Sequence, residues 1–234
     1  MLEANLAISV KTQDNISGQH RGKLRELVCV FGMNIRHRDK KLHFKLDPRL
    51  KTIIVGTLLG DANLNRRGSH YRLLIKHGKS QRSLIDWKRQ QLETITGMKI
   101  NEFSQKVKGK SYGFCQFVTL THPAFTALRN IFYRGRNKIV PAQIKELVQD
   151  PLALAVWIMD DGARAGAGMT IQTHSFFRNG VERLQKMLKD NFRLIVSLRR
   201  NKDRIILYIP KSEIPRLKIL VEKYILPEYR YKFS

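Results

Sequence analysis

The sequence predicts an α+β fold made of two similar repeats, each of the order αββαββα with helices laid on an antiparallel sheet. Three observations predict it. Asp47-Pro48 and Asp150-Pro151 each place an acidic N-cap before a proline at the first helical position. Each is followed by an apolar stretch, RLKTIIVGTLLGDA or LALAVWIMDDGA, ending in an acid beside glycine, and those acids, Asp61 and Asp161, are 100 residues apart. The same succession of periods then recurs after each stretch, the mark of an internal duplication. Residues 47–140 are read as the first repeat and 141–234 as the second, behind an N-terminal extension over residues 1–46 that lacks a sustained period.

The elements follow in order. Strand-like residues come after each apolar helix, His70 to His77 in the first repeat and Met169 to Phe176 in the second. A helix is expected next, over Ser80 to Thr96 and Asn179 to Asn191. A hairpin follows, pairing Ile100–Val107 with Tyr112–Leu120 around Lys108-Gly109-Lys110, and Phe192–Arg199 with Arg204–Ile209 around Asn201-Lys202-Asp203. Closing helices are expected over Pro123–Tyr133 and Ser212–Tyr224. The GARAGAG stretch, Gly162 to Gly168, lacks dinucleotide-binding spacing and reads as a flexible turn.

Of 234 residues, 44 are Lys or Arg and 19 Asp or Glu, a net charge of +25. The excess is +5 over residues 1–46, +12 over 47–150 and +8 over 151–234, so it is no basic tail. A cationic surface spread along the chain favours a nucleic-acid partner over a membrane surface. Apolar runs such as Ile53 to Leu59 and Leu152 to Met159 are too short to span a bilayer. Cys29 and Cys115 are too few for a disulfide framework, a four-cysteine zinc site or an iron–sulfur cluster, which fits a reducing compartment. The start, MLEANLAISV, lacks the marks of a signal peptide. Gly78-Lys79-Ser80 has Leu73 where a phosphate-binding loop needs glycine, the seven histidines show no zinc spacing, and Trp87 and Trp157 sit in apolar segments as core residues.

Gly56 and Gly60 lie four apart on one helical face, and Ala153, Ala155 and Val156 offer small partners in the second helix. Each glycine costs a helix about 1 kcal/mol against alanine, a loss that close packing of the two helices would offset. Packing would bring Asp61 and Asp161, with Asp160, together at two helix C-termini, where carboxylates are disfavoured. A divalent cation with oxygen ligands would remove the conflict, and beside a cationic surface it points to phosphodiester hydrolysis. The plain alternative is two surface acids on unrelated helices.

IVGTLLGDA (Ile54 to Ala62) and LAVWIMDDG (Leu154 to Gly162) resemble the two copies of a LAGLIDADG motif. The chain resembles, over both repeats, the single-chain, double-motif LAGLIDADG homing endonucleases encoded by mobile introns. The first copy has Gly56 and Asp61 in place but ends in Ala62; the second has Asp161 and Gly162 in place but Val156 where glycine is usual. The resemblance implies repeats packed through the motif helices, saddle-shaped sheets laid on double-stranded DNA, and a monomer. It also implies an organellar setting or a prokaryotic cytoplasm. It implies a metal-dependent double-strand break at a long asymmetric site, one cut per strand across the minor groove, with two or more Mg2+ ions at the repeat interface. Asp61 and Asp161 are the implied metal ligands. Gly60 and Asp160 supply backbone carbonyls, the Asp160 side chain being a neighbour. Lys138 in NKIVP and Lys232 in YRYKF match a lysine near the cleavage site that would offset transition-state charge. His174 in TIQTHSF stands where glutamine is common.

Alternation along the hairpins points outward to DNA. Ser104, Lys106, Lys108 and Lys110 are expected to share one face; Arg193, Ile195, Ser197 and Arg199 share another, opposite Leu194, Val196 and Leu198. The expected contacts to phosphate or base edges are Arg66, Arg67, Arg72, Lys76, Lys106, Lys108, Lys110, Gln172, His174, Arg199, Arg200 and Lys202. An intron maturase acting on RNA and a non-catalytic DNA-binding regulator are the competing readings.

Overall fold

The structure is a computed structural model that describes residues 46–233. The extension expected over residues 1–46 therefore lies, but for Leu46, outside the described residues.

Helix α1 (Pro48–Leu59) starts as its sequence dictates, with the Asp47 carboxylate accepting from the Leu50 amide at 2.8 Å. Helix α5 (Pro151–Asp161) starts the same way, Asp150 accepting from Leu152 at 2.8 Å. Between them lie β1 (Asn63–Arg67), β2 (His70–Gly78), α2 (Arg82–Gln91), β3 (Asn101–Val107), β4 (Lys110–Val118), α3 (Pro123–Phe132), the short pair β5 (Tyr133–Arg134) and β6 (Asn137–Lys138), and α4 (Ile144–Leu147). After α5 come β7 (Gly162–Ala165), β8 (Gly168–Ile171), α6 (Arg178–Phe192), β9 (Ser197–Asn201), β10 (Arg204–Ile209) and α7 (Ile214–Val221). The strand orders are β1-β2-β4-β3 and β7-β8-β10-β9, so the two antiparallel sheets share one topology.

The αββαββα order calls for two strands before the second helix of each half, but the sequence reading assigns residues only to the second of them. GARAGAG is no flexible turn: Gly162–Ala165 pairs with Gly168–Ile171 across Gly166, whose φ of +61 is open to glycine at no steric cost. Its short residues carry no β propensity, so neighbouring strands impose the extended form. Asn63–Arg67 was equally silent because its residues are nearly all exposed. The expected long helices after β2 and β10 are shorter here. Helix α2 ends at Gln91, with 3-10 turns at Lys79–Gln81 and Glu93–Ile95, and α7 is flanked by turns at Lys211–Glu213 and Glu222–Tyr224.

One hydrophobic core runs through both halves, and the seam between α1 and α5 forms its centre. Every residue from Ile53 to Gly60 and from Leu152 to Asp160 is buried. Gly56 sits on Ala153 and Val156 so closely that a Cβ would come within 2.5 Å of the Ala153 carbonyl oxygen. The missing glycine of the second motif is thus filled: Val156 occupies the hollow that Gly56 leaves. A Gly56→Ala chain should lose about 1–3 kcal/mol to overpacking, seen as a lower urea midpoint; an unchanged midpoint would show that the seam can part freely.

Candidate active site

Helices α1 and α5 end side by side. Gly60 caps the first, and Asp160 and Asp161 are the last two residues of the second. Each helix end carries about half a negative charge, so the carboxylates here add to a spot that is already negative. Lysines answer it. Lys138, at the end of β6, donates to the Gly60 carbonyl at 2.7 Å. Lys232, in the 3-10 turn Pro227–Phe233, donates to the carbonyls of Ile158 and Met159 at 3.1 and 2.7 Å. Lys88, on the buried face of α2, pairs with Asp160 Oδ1 at 2.5 Å.

These contacts set the proton affinities. Burial and then the charges of Asp61 and Asp160 push the Asp161 carboxyl up to about 8. Burial tends to raise the Asp61 carboxyl too, but the His77 hydrogen bond and the charges of Lys88 and Lys138 outweigh it and hold Asp61 below its usual value. Burial draws Lys138 and Lys232 down to about 8 against the pull of the same acids. Asp161 is the least compensated member: it makes no ion pair among the described residues, and Lys138 and Trp157 offset only part of the rise. A carboxyl raised in this way, beside a second acid, suits a divalent cation, whose binding would expel the proton.

Asp61, His77 and Asp160 offer ligand atoms within 4.8 Å of one another. They form no cation cage, because the Lys88 ammonium already occupies Asp160 Oδ1. His77 Nδ1 lies 3.3 Å from Asp61 Oδ2, and the side chains of His77, Lys88 and Asp160 are all 0% exposed. Neither His77 nor Lys88 stood out in the sequence reading, although each left a signal. Lys88 falls at helical spacing with Leu84, Ile85 and Leu92 on an apolar face, and His77 continues the inward alternation Leu73, Ile75.

Register sorts the expected DNA contacts. Residues directly opposite in an antiparallel pair share a face. Leu73, Ile75 and His77 face the helices, so Arg72 and Lys76 face outward, and with them, through the pairs Lys76↔Gln116 and Val107↔Lys110, go Gln116, Phe114 and Lys110. Lys106 pairs with Ser111 and lies on the helix side. The expectation that Ser104, Lys106, Lys108 and Lys110 share a face therefore fails: the chain reverses over the two residues Lys108 and Gly109, with φ of +50 and +80. Arg67 is likewise outward and Arg66 is not. In the second sheet Gln172 and Arg199 are outward, Arg199 lying over the Tyr208 ring, while Arg200 is on the helix side and Lys202 in the turn. His174, exposed beyond β8, lies 3.5 Å from the Asn201 amide. Lys76 is held over Phe103 and Phe114 and bonds Gln105 at 2.9 Å. Arg72 Nε and Gln172 Oε1 are buried without a hydrogen-bond partner among the described residues, one on each outward face.

Two αββαββα halves joined along a helix seam that ends in paired acids define the duplicated LAGLIDADG class. Residues 51–217 match the family described as LAGLIDADG DNA endonuclease, and the chain belongs to that family. Among its relatives is the cytochrome b mRNA maturase bI2 of Debaryomyces hansenii, 27% identical over 215 residues that cover 88% of this chain and 80% of the relative. Another is the intron-encoded endonuclease ai4 of Dictyostelium discoideum, 35% identical over 128 residues that cover 53% of this chain and 80% of the relative. The fold is that of the homing endonuclease I-WcaI, solved bound to its DNA recognition sequence, with a TM-score of 0.79 at 23% identity over 90% of this chain and 97% of that one.

The raised Asp161 carboxyl carries a stability signature. Its folded value, about 8, lies above its ordinary 3.8, so its contribution is full below pH 4 and lost as pH rises through about 8. In chelator, the stability of wild type relative to Asp161→Asn should fall steadily between those limits, read by thermal unfolding; a difference that stays flat with pH would refute the assignment.

Proposed function

We propose that this chain is a site-specific DNA endonuclease that makes a double-strand break at a long, asymmetric target with the help of divalent metal ions. The observation that carries the reading is the meeting of Asp61 and Asp161 at the seam, with Lys138 and Lys232 anchored on the carbonyls beside them. Family membership and the two outward cationic sheet faces support it. Asp61 and Asp161, with carbonyl oxygens of Gly60 and Asp160, would hold the ions, and an all-oxygen set favours a hard ion such as Mg2+. Lys138 takes one lone pair of the Gly60 oxygen and leaves the other. A bound ion supplies Lewis acidity at the scissile phosphate. The lysines place fixed positive charge where the phosphoryl oxygens gain negative charge. The two acids sit in unequal surroundings, in keeping with an asymmetric target.

We divide the chain at residues 140 and 141 into two DNA-binding halves, read it as acting as a monomer, and place it with intron-encoded proteins of organelles. The maturase among its relatives favours a second reading, assistance to intron RNA splicing, which can coexist with cleavage.

The test is incubation with a randomised DNA library and Mg2+, followed by sequencing of cut ends. Asp61→Asn and Asp161→Asn should each abolish the double-strand break and leave DNA affinity unchanged; wild-type cutting of both strands by either variant would sink the assignment. Lys110→Ala should weaken binding and reduce the salt slope by about 1, whereas Lys106→Ala, on the helix side, should leave the slope alone. Equal effects in titrations against salt would contradict the register argument.

A further inference from the structure

The cluster behind Asp61 is used by neither the metal ions nor the DNA surface. Asp160 reaches across the seam from the second half. Its Oδ1 takes the Lys88 ammonium at 2.5 Å, and its Oδ2 accepts from the Asp61 backbone amide at 3.3 Å. Gly60 makes this reach possible, because a Cβ there would overlap the Asp160 carboxylate. Lys88 Nζ also lies 3.4 Å from His77 Nε2. An ammonium only donates, so a hydrogen bond between them has Nε2 accepting and the ring hydrogen on Nδ1; the Asp160 Oδ1 atom, at 3.8 Å from Nε2, is beyond hydrogen-bond reach. That Nδ1 faces Asp61 Oδ2 at 3.3 Å and Gln81 Oε1 at 3.2 Å, so it donates toward both. One carboxylate oxygen of Asp61 is thereby held from behind, and its backbone amide is held from the other half of the chain.

Among the described residues nothing equivalent serves Asp161. The 100-residue spacing makes Gly60 the counterpart of Asp160, and glycine has no carboxylate to send back. In the sheets, Asn63 pairs with Leu74 and Ala163 with Thr170, so Thr173 stands where His77 stands in the first half. Thr173 Oγ1 donates to the Ile205 carbonyl at 2.6 Å. By the same register Gly78 stands at the place of His174.

We propose that Asp160 is a positioning residue for Asp61, and that Asp160, Lys88 and His77 form a buried relay that serves the first acid alone. The inference rests on the nuclease reading, under which Asp61 takes part in cutting. It makes cleavage of one strand depend on the relay while the other does not.

The test uses the full chain and the duplex recovered from the cleavage selection, with the strands labelled differently and each cut followed separately in Mg2+. His77→Phe removes the donor and should slow one strand about tenfold or more, leaving the other strand and DNA affinity within about twofold. His77→Gln keeps a donor and should recover most of that loss. The charge-neutral pair Lys88→Met with Asp160→Asn avoids leaving one buried charge unmatched and should slow the same strand. Equal slowing of both strands, no slowing, or a different strand in the two cases overturns the proposal, since a merely structural cluster would not choose a strand. Long-range 1H–15N spectra of labelled histidine give a readout independent of cutting. A His77 Nδ1–H tautomer upholds the relay; an Nε2–H or doubly protonated ring overturns it. If the wild-type chain cuts no DNA, the nuclease reading falls and the tautomer alone decides the relay.

Discussion

Everything at the centre of this molecule follows from how closely α1 and α5 approach. Gly56 against Ala153 and Val156, and Gly60 against Asp160, let two helix ends meet with almost nothing between them. Such contact is sterically undemanding and electrostatically costly, because each helix end is negative and carries acids. Lys138 and Lys232 return positive charge to the carbonyls, and Lys88 returns it to Asp160. What remains is a deficit at Asp161, whose proton is held far more tightly than a carboxyl in water holds its own. The +25 chain thus keeps a small negative spot supported by cations, placed where a phosphate would be repelled unless a metal intervened.

Duplication supplied two similar halves, and divergence has made them complementary. The changes fall at matched positions. Where one motif has Gly56 the other has Val156, and where one has Gly60 the other has Asp160. In each pair a side chain on one helix occupies the room vacated on the other. Here the glycine of one copy and the side chain of the other fit together at each position, with neither a void nor a collision. Departures from the motif are therefore linked across the seam and make sense only as pairs.

The sequence revealed most of this architecture through strong local signals. Asp-Pro caps marked both seam helices, and the 100-residue repeat of the acids marked the duplication. The residues of the first strand of each sheet stayed hidden because Asn63–Arg67 and Gly162–Ala165 lack both alternation and β-branched residues; pairing, not propensity, makes them strands. The lysines at the helix ends could be named from resemblance, but their burial and their carbonyl partners are long-range facts, separated in sequence by more than 70 residues. His77 and Lys88 were visible as polar residues on apolar faces, but without Asp160 opposite them each looked like one basic residue among many. The outward faces were misjudged at one hairpin, where reading alternation straight through Lys108 and Gly109 ignored the reversal.

The hairpins carry a consequence for how such a chain changes over generations. In the two four-stranded sheets each hairpin reverses over two residues: Gly68-Ser69, Lys108-Gly109, Gly166-Ala167 and Lys202-Asp203. A tight reversal leaves no slack to absorb a gained or lost residue, and a shift of one would turn every following side chain to the opposite face. Point substitution on the outward faces leaves the pairing intact, residue by residue. Exchanging letters within fixed strands can therefore change which partner the face fits, whereas a residue inserted or deleted in the same strand would rebuild the whole face at once.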